Sequence, residues 1–251
     1  MKKLVVFVFA LGALVTNGVA FSITDPFYMP EKGQIMGDLA IALTNEDARF
    51  DESFAIKGGI QLGLKDNLAL GIDLGWANIR HHSKGLIDPT LTLKYRIKDG
   101  FIEGYYLDLD AFLSPQAFDS WQSNKGGAKG ATDLGATLKI GSTEMINNFT
   151  VYAGASVIHY GHSKYISAGT GITALAGAKY YIDETNSVDL SFNLSNYFDF
   201  ICDHIGAGLD INYAHEFTPN KLAFIVYYGA ERHNKHIFSY NHWGVKWRYL
   251  F

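Results

Sequence analysis

Tyr240-Asn241-His242-Trp243-Gly244-Val245-Lys246-Trp247-Arg248-Tyr249-Leu250-Phe251 ends the chain, and its reading decides the fold. Every second residue back from the terminus, Phe251, Tyr249, Trp247, Val245 and Trp243, is aromatic or β-branched. The residues between them, Leu250, Arg248, Lys246, Gly244 and His242, are mostly polar or small. Side chains alternate across a strand with a period of two, so the stretch forms one apolar and one polar face.

Working outward from this end, strand-length runs recur at 34–44, 53–64, 68–79, 86–97, 101–113, 129–141, 149–160, 170–182, 187–198, 203–216, 221–231 and 238–251. The chain is therefore read as all-β with twelve strands, each close to the length that crosses a bilayer at a tilt. In the second run Phe54, Ile56, Ile60, Leu62 and Leu64 share one face, with Lys57 and Gln61 on the other. The third sets Leu68, Leu70, Ile72, Leu74 and Trp76 against Gly71, Asp73 and Gly75. Pro89 weakens the start of the fourth, because proline cannot donate to a ladder. Links after even-numbered runs, such as Lys65-Asp66-Asn67 and Asp183-Glu184-Thr185-Asn186, are short and rich in turn residues. Links after odd-numbered runs are mostly longer, and 114–128 is the longest.

Lys2 and Lys3, the apolar run Leu4 to Val15 and the small residues Gly18-Val19-Ala20 mark residues 1–20 as a secretory signal peptide. The apolar run is too short for a transmembrane helix. Residues 21–33 carry Pro26 and Pro30 without alternation and read as an irregular periplasmic lead-in to a domain over 34–251. The formal charge of −4, more negative still once two signal lysines are removed, argues against nucleic acid as a partner. With one cysteine, Cys202, no intramolecular disulfide framework is available.

The outward faces carry one formal charge within a run, Glu103. The inward faces carry Asp38, Lys57, Asp73, Asp88, Lys94, Arg96, Asp108, Asp110, Asp133, Lys139, Lys179, Asp189, Asp210, Glu231, Lys246 and Arg248. A soluble sandwich would bury the same stripes, so alternation alone does not separate the two architectures. The signal peptide, the terminal Phe251 and aromatics grouped at strand ends do. Trp76, Tyr160, Phe198 and Trp243 fall near one end, and Tyr95, Tyr180, Tyr213, Trp247 and Tyr249 near the other, as in an interfacial girdle.

A closing strand with alternating aromatics and a terminal Phe resembles that of bacterial outer-membrane β-barrels, and the whole pattern resembles their small porin-like kind. The resemblance implies a transmembrane antiparallel up-and-down barrel in the cell outer membrane, with outer-membrane lipids and the barrel insertion machinery as partners. Trp243, Val245, Trp247, Tyr249 and Phe251 would be the assembly signal that the machinery reads. Short links on the periplasmic side place both termini there. Twelve-stranded relatives include nucleoside channels, acidic-oligosaccharide channels and lipid hydrolases, and no motif in this chain ties it to one of them.

The leading functional reading is passive passage of small polar solutes. The lumen-lining candidates are Asp38, Lys57, Asp73, Lys94, Arg96, Asp108, Asp110, Asp133, Lys139, Asp189, Asp210, Lys246 and Arg248. These charges either form a constriction or pair with one another to avoid unpaired burial. Asp38 is expected to bridge to Arg248 or Lys246 where the first and last strands meet, and loop 114–128 to act as a lid or inward plug. The alternatives are a lipid hydrolase using a loop Ser/His pair, His82-Ser83 or His162-Ser163, and a non-conducting structural or adhesive barrel. Adjacency on a loop does not give nucleophile–base geometry, and no cofactor is expected. His81, His82, His162, His204, His233 and His236 all fall toward the longer loops and are a candidate metal rim, if they converge.

Overall fold

The computed structural model describes residues 22–46, 53–79, 83–97, 104–119, 126–142, 147–162, 168–198, 203–234 and 239–251. The expected signal peptide lies outside them, as do Phe21, His81, His82, Glu103, Ser163, Cys202 and His236. Twelve strands follow in order: β1 (Ile35–Glu46), β2 (Ser53–Lys65), β3 (Leu68–Ile79), β4 (Ser83–Ile97), β5 (Tyr105–Ser114), β6 (Asp133–Ser142), β7 (Phe149–Tyr160), β8 (Gly169–Tyr181), β9 (Asn186–Phe198), β10 (His204–Thr218), β11 (Leu222–His233) and β12 (Tyr240–Leu250).

Each strand pairs antiparallel with its neighbours in sequence, and β12 returns to β1, so the sheet closes. The seam runs in register from Met36 opposite Leu250 to Glu46 opposite Tyr240, and the Phe251 N–H donates to Ile35 O at 2.8 Å. Closure removes the sheet edges that would otherwise present unpaired backbone groups. The short links that follow even strands gather at one end of the barrel, with the start of β1 and the end of β12; this is the turn end, and the other is the loop end.

Burial is inverted relative to a protein folded around an apolar core. Leu39, Ile60, Leu74 and Leu190 on the outer face are 50%, 55%, 53% and 48% exposed, while Asp108, Lys179 and Asp189 inside are buried. A belt of exposed aliphatic side chains this continuous exceeds what soluble monomers carry.

Three strand starts and one aromatic depart from the expectations: β5 begins at Tyr105 rather than 101, and β6 at Asp133 rather than 129, after the inward-folded link. β4 starts at Ser83 rather than 86, because Pro89 sits in a register shift: Gly75 faces Ile87 while Asp73 faces Thr90. Asp88 and Pro89 drop out of the ladder between them, so the missing proline N–H costs no pairing and the strand continues. Tyr160 is not part of an outer girdle. Its ring faces inward, 6.3 Å from that of Tyr197 and under the Lys129 ammonium.

Candidate functional site

The lumen is occupied from both ends. The lead-in, 22–33, does not stay outside the strands but enters the barrel at the turn end. Ile23, Asp25, Phe27 and Met29 alternate as buried residues along it. A segment of turns inside a barrel exposes carbonyls that no ladder satisfies, and here basic side chains of the wall supply the donors. Arg248 Nη1–H donates to Ile23 O at 2.7 Å, Lys139 Nζ–H to Pro26 O at 3.1 Å, and Arg96 Nη2–H to Phe27 O. Lys179 donates to the Thr24 hydroxyl at 2.7 Å, and the Tyr181 hydroxyl to Asp25 at 2.7 Å. The Ser22 hydroxyl donates to Glu216, whose other oxygen accepts the Asn220 N–H.

At the loop end the link between β5 and β6 folds inward over β4. Asp88, released from the ladder beside Pro89, accepts the N–H groups of Ala117 at 2.8 Å, Phe118 at 3.1 Å and Gly130 at 3.2 Å. The backbones of Gly127 and Gly85 touch so closely that a Cβ on Gly85 would stand 2.9 Å from the Gly127 nitrogen. The Ser83 hydroxyl is engaged by Gly126 O. Residue 83, the seryl half of one proposed loop pair, therefore belongs to the inner wall.

Most of the inward charges are spoken for. Asp38 meets Arg248 across the seam in a two-pronged pair, both N–O distances 2.8 Å. Arg96 grips Asp108 in the same way at 2.9 Å, and Lys139 reaches Asp110 at 2.6 Å. Lys129 holds Asp133 at 2.8 Å; the Tyr152 hydroxyl donates to Asp189 at 2.7 Å; His242 lies 3.1 Å from Asp210. Glu231 receives the Tyr240 and Tyr197 hydroxyls and sits 3.0 Å from His233 Nε2. Such pairing offsets the cost of placing charge on a partly desolvated wall.

Between the two inserts lie two cavities, about 480 Å³ and about 240 Å³, that share Ala40, Lys57 and Lys246. Lys94 lines the larger and Asp73 the smaller. None of the candidate lumen residues named from sequence lies on the apolar outer face.

The histidines gather only in part. His204 and His233 have ring centroids 5.0 Å apart, and Tyr197 stacks on His204 at 4.6 Å. His159 lies on the outer face near Thr170, and His215 bonds Asn186 at the turn end. Among the described residues no three His, Cys, Asp or Glu side chains converge as metal ligands.

Residues missed from the sequence are those that meet the lead-in: Asp25, Tyr152, Tyr181 and Glu216. The available signal was the odd-numbered set Ile23, Asp25, Phe27, Met29, interrupted to the eye by Pro26 and Pro30.

No protein-family model matches the chain, and no curated protein sequence does. Solved structures do resemble it. An outer-membrane channel from Pseudomonas putida F1 superposes with a TM-score of 0.66 at 13% identity, covering 91% of this chain and all (100%) of the other. The NanC porin gives 0.57 at 9% identity over 85% of this chain and 98% of its own, and the KdgM porin 0.50 at 10% over 84% and 98%. At these identities the likeness speaks for architecture: the chain has the closed, twelve-stranded antiparallel barrel fold of small outer-membrane channels.

Proposed function

We propose that the protein is an outer-membrane channel for passive movement of small polar solutes. The observation that carries this is the polar interior: cavities of about 480 Å³ and about 240 Å³ walled by Lys57, Asp73, Lys94 and Lys246 inside an apolar-faced barrel. Side chains fill an eight-stranded barrel, whereas twelve strands leave room for water and solute. The apolar belt contacts outer-membrane lipid. The outward Trp243, Val245, Trp247, Tyr249 and Phe251 form the strip that the insertion machinery reads during assembly. Short turns mark the periplasmic side, so both termini and the inserted 22–33 segment lie there. The long loops and the inward-folded β5–β6 link face outside.

In the state described, the N-terminal segment lies across the turn end, so solute passes once that segment shifts. Conductance of the refolded protein in a planar bilayer tests the reading. The full chain should show stepwise openings of small size, and deletion of residues 22–30 should enlarge them several-fold. Closed bilayers with both forms, together with lipid-substrate hydrolysis lost in Ser83→Ala, would replace the channel by the hydrolase.

A further inference from the structure

The wall has too few carboxylates for its cations along two stretches, and backbone register shows where. On β4, β5 and β6, Lys94 faces Asp110 and Arg96 faces Asp108, while Lys139 also faces Asp108. Arg96 takes both oxygens of Asp108, and Lys139 then reaches diagonally to Asp110. Three cations meet two carboxylates, and Lys94 is left over. The second oxygen of Asp110 has no hydrogen-bond partner among the described residues, and Lys94 does not close on it.

Across the seam the second stretch is simpler. Ala40 on β1 stands opposite Lys246 on one side and Lys57 on the other, and Lys57 stands opposite Gly75. One level of the wall therefore reads lysine, alanine, lysine, glycine. The two small residues leave space between the ammonium groups and give them nothing to bond. Among the described residues Lys57, Lys94 and Lys246 make no ion pair, and all three line the 480 Å³ cavity. Asp73, two residues along β3 from Gly75, likewise has no ion pair among the described residues; it opens into the smaller cavity.

We propose that Lys57, Lys94 and Lys246 form a binding site for a small organic anion, a carboxylate or a phosphate, at mid-lumen. Each ammonium has three donors, and among the described residues none of them is bonded to the protein. An anion that enters the cavity gains charge-assisted hydrogen bonds from β12 and β2, the strands that flank β1, and from β4 further along the wall. Of the other wall cations, Arg96, Lys139 and Arg248 already hold carboxylates as well as the backbone of the inserted segment, and Lys179, which lines the same cavity without an ion pair, is buried and donates to the Thr24 hydroxyl. Cation rings of this kind set anion preference in pores, and the assignment as a solute site rests on the channel reading. Lysine at Ala40 or Gly75 positions would crowd the site, whereas the residues present keep it open.

The test is calorimetric titration of the full refolded chain with inorganic phosphate and, separately, with succinate, in chloride-free buffer at neutral pH. Saturable binding of one or both is expected, weakened about tenfold or more (about 1.4 kcal/mol) by Lys94→Gln/Lys246→Gln. Lys221→Gln, in the turn between β10 and β11, should leave it unchanged. No saturable binding, or equal binding by the double variant, overturns the site. Because none of the three lysines bonds the protein, Lys94→Met should fold and unfold in urea like the parent, so lost binding cannot be assigned to a damaged barrel. In a bilayer under a KCl gradient, the reversal potential should favour chloride and move toward zero in the double variant. Conductance that favours potassium in the parent overturns the anion site and leaves the channel. Binding without any conductance keeps the site and removes the channel.

Discussion

Two irregular segments enter the same barrel from opposite ends, and the wall holds them by opposite chemistry. Residues 22–30 offer carbonyl oxygens, and three cations, Arg96, Lys139 and Arg248, donate to them. The β5–β6 link offers amides, and one carboxylate, Asp88, accepts three. Those three are each already neutralised by their own carboxylate, Asp108, Asp110 or Asp38, whereas a fourth turn-end cation, the buried Lys179, donates to the Thr24 hydroxyl without an ion pair. Release of the N-terminal segment thus leaves three paired charges behind and takes an acceptor from one lysine. Asp88 has no cation partner among the described residues, and the link's N–H dipoles are what offset its charge. Release of the link would strand an anion. The difference lies in what each insert leaves behind: at the turn end most of the charge stays paired, and at the loop end Asp88 keeps no partner cation among the described residues.

The sharpest way to break this comparison is Arg248→Ala. It removes the seam pair with Asp38 and the anchor on Ile23 together. Loss of one partner of a partly buried pair costs about 3–5 kcal/mol, read as a lower urea midpoint of the refolded barrel. An unchanged midpoint would mean that the turn-end cations hold nothing. Asp88→Ala should act locally and more weakly, about 1–3 kcal/mol for amides left without acceptors. Hydrogen exchange should quicken at Ala117, Phe118 and Gly130 and stay unchanged at Asp25 and Phe27; loosening at both ends would merge the two inserts into one unit.

Asp183 is the exposed counterpart of Asp88 and gives the smallest effect. In the turn between β8 and β9 it accepts the Thr185 N–H at 2.8 Å, with further donors from the Asn186 side chain and backbone. The Thr185 backbone bond, with those donors, holds its carboxyl down at about 2 from an ordinary 3.8. A depressed acid contributes in full above its unfolded value and is lost as pH falls through the folded one. Carboxyl NMR should therefore place the midpoint near 2, and a midpoint near 3.8 would remove the turn clamp.

Strands were legible because period-two alternation is enforced on every residue between two different solvents. Even β9 (Asn186–Phe198), short of charge, starts within a residue of its expected position. Pro89 misled only on the start of β4, since a register shift is invisible in composition. Alternation assigns each charge to a strand face, but it says nothing of which partner that charge takes. Whether Lys94 or Lys139 takes Asp110 depends on lateral register, which no single strand encodes. The lead-in was misplaced because its alternation, Ile23, Asp25, Phe27 and Met29, is short, mixes a carboxylate with apolar residues and is broken by Pro26 and Pro30. Tyr160 was misassigned by its position at a strand end, where aromatic residues serve either face.

The guanidinium of Arg248 spans three parts of the chain, bonding Asp38 on β1 and Ile23 ahead of it from a position near the last residue. That geometry orders events in time. Until β12 arrives, β1 has an open edge and Ile23 has no donor at this position. The contact closes a loop of nearly the whole chain, the slowest kind to form. This anchor on the N-terminal segment therefore forms only on completion of the barrel, and a barrel still missing its last strand has the segment's contacts on β4, β6, β8 and β10 without its final tie.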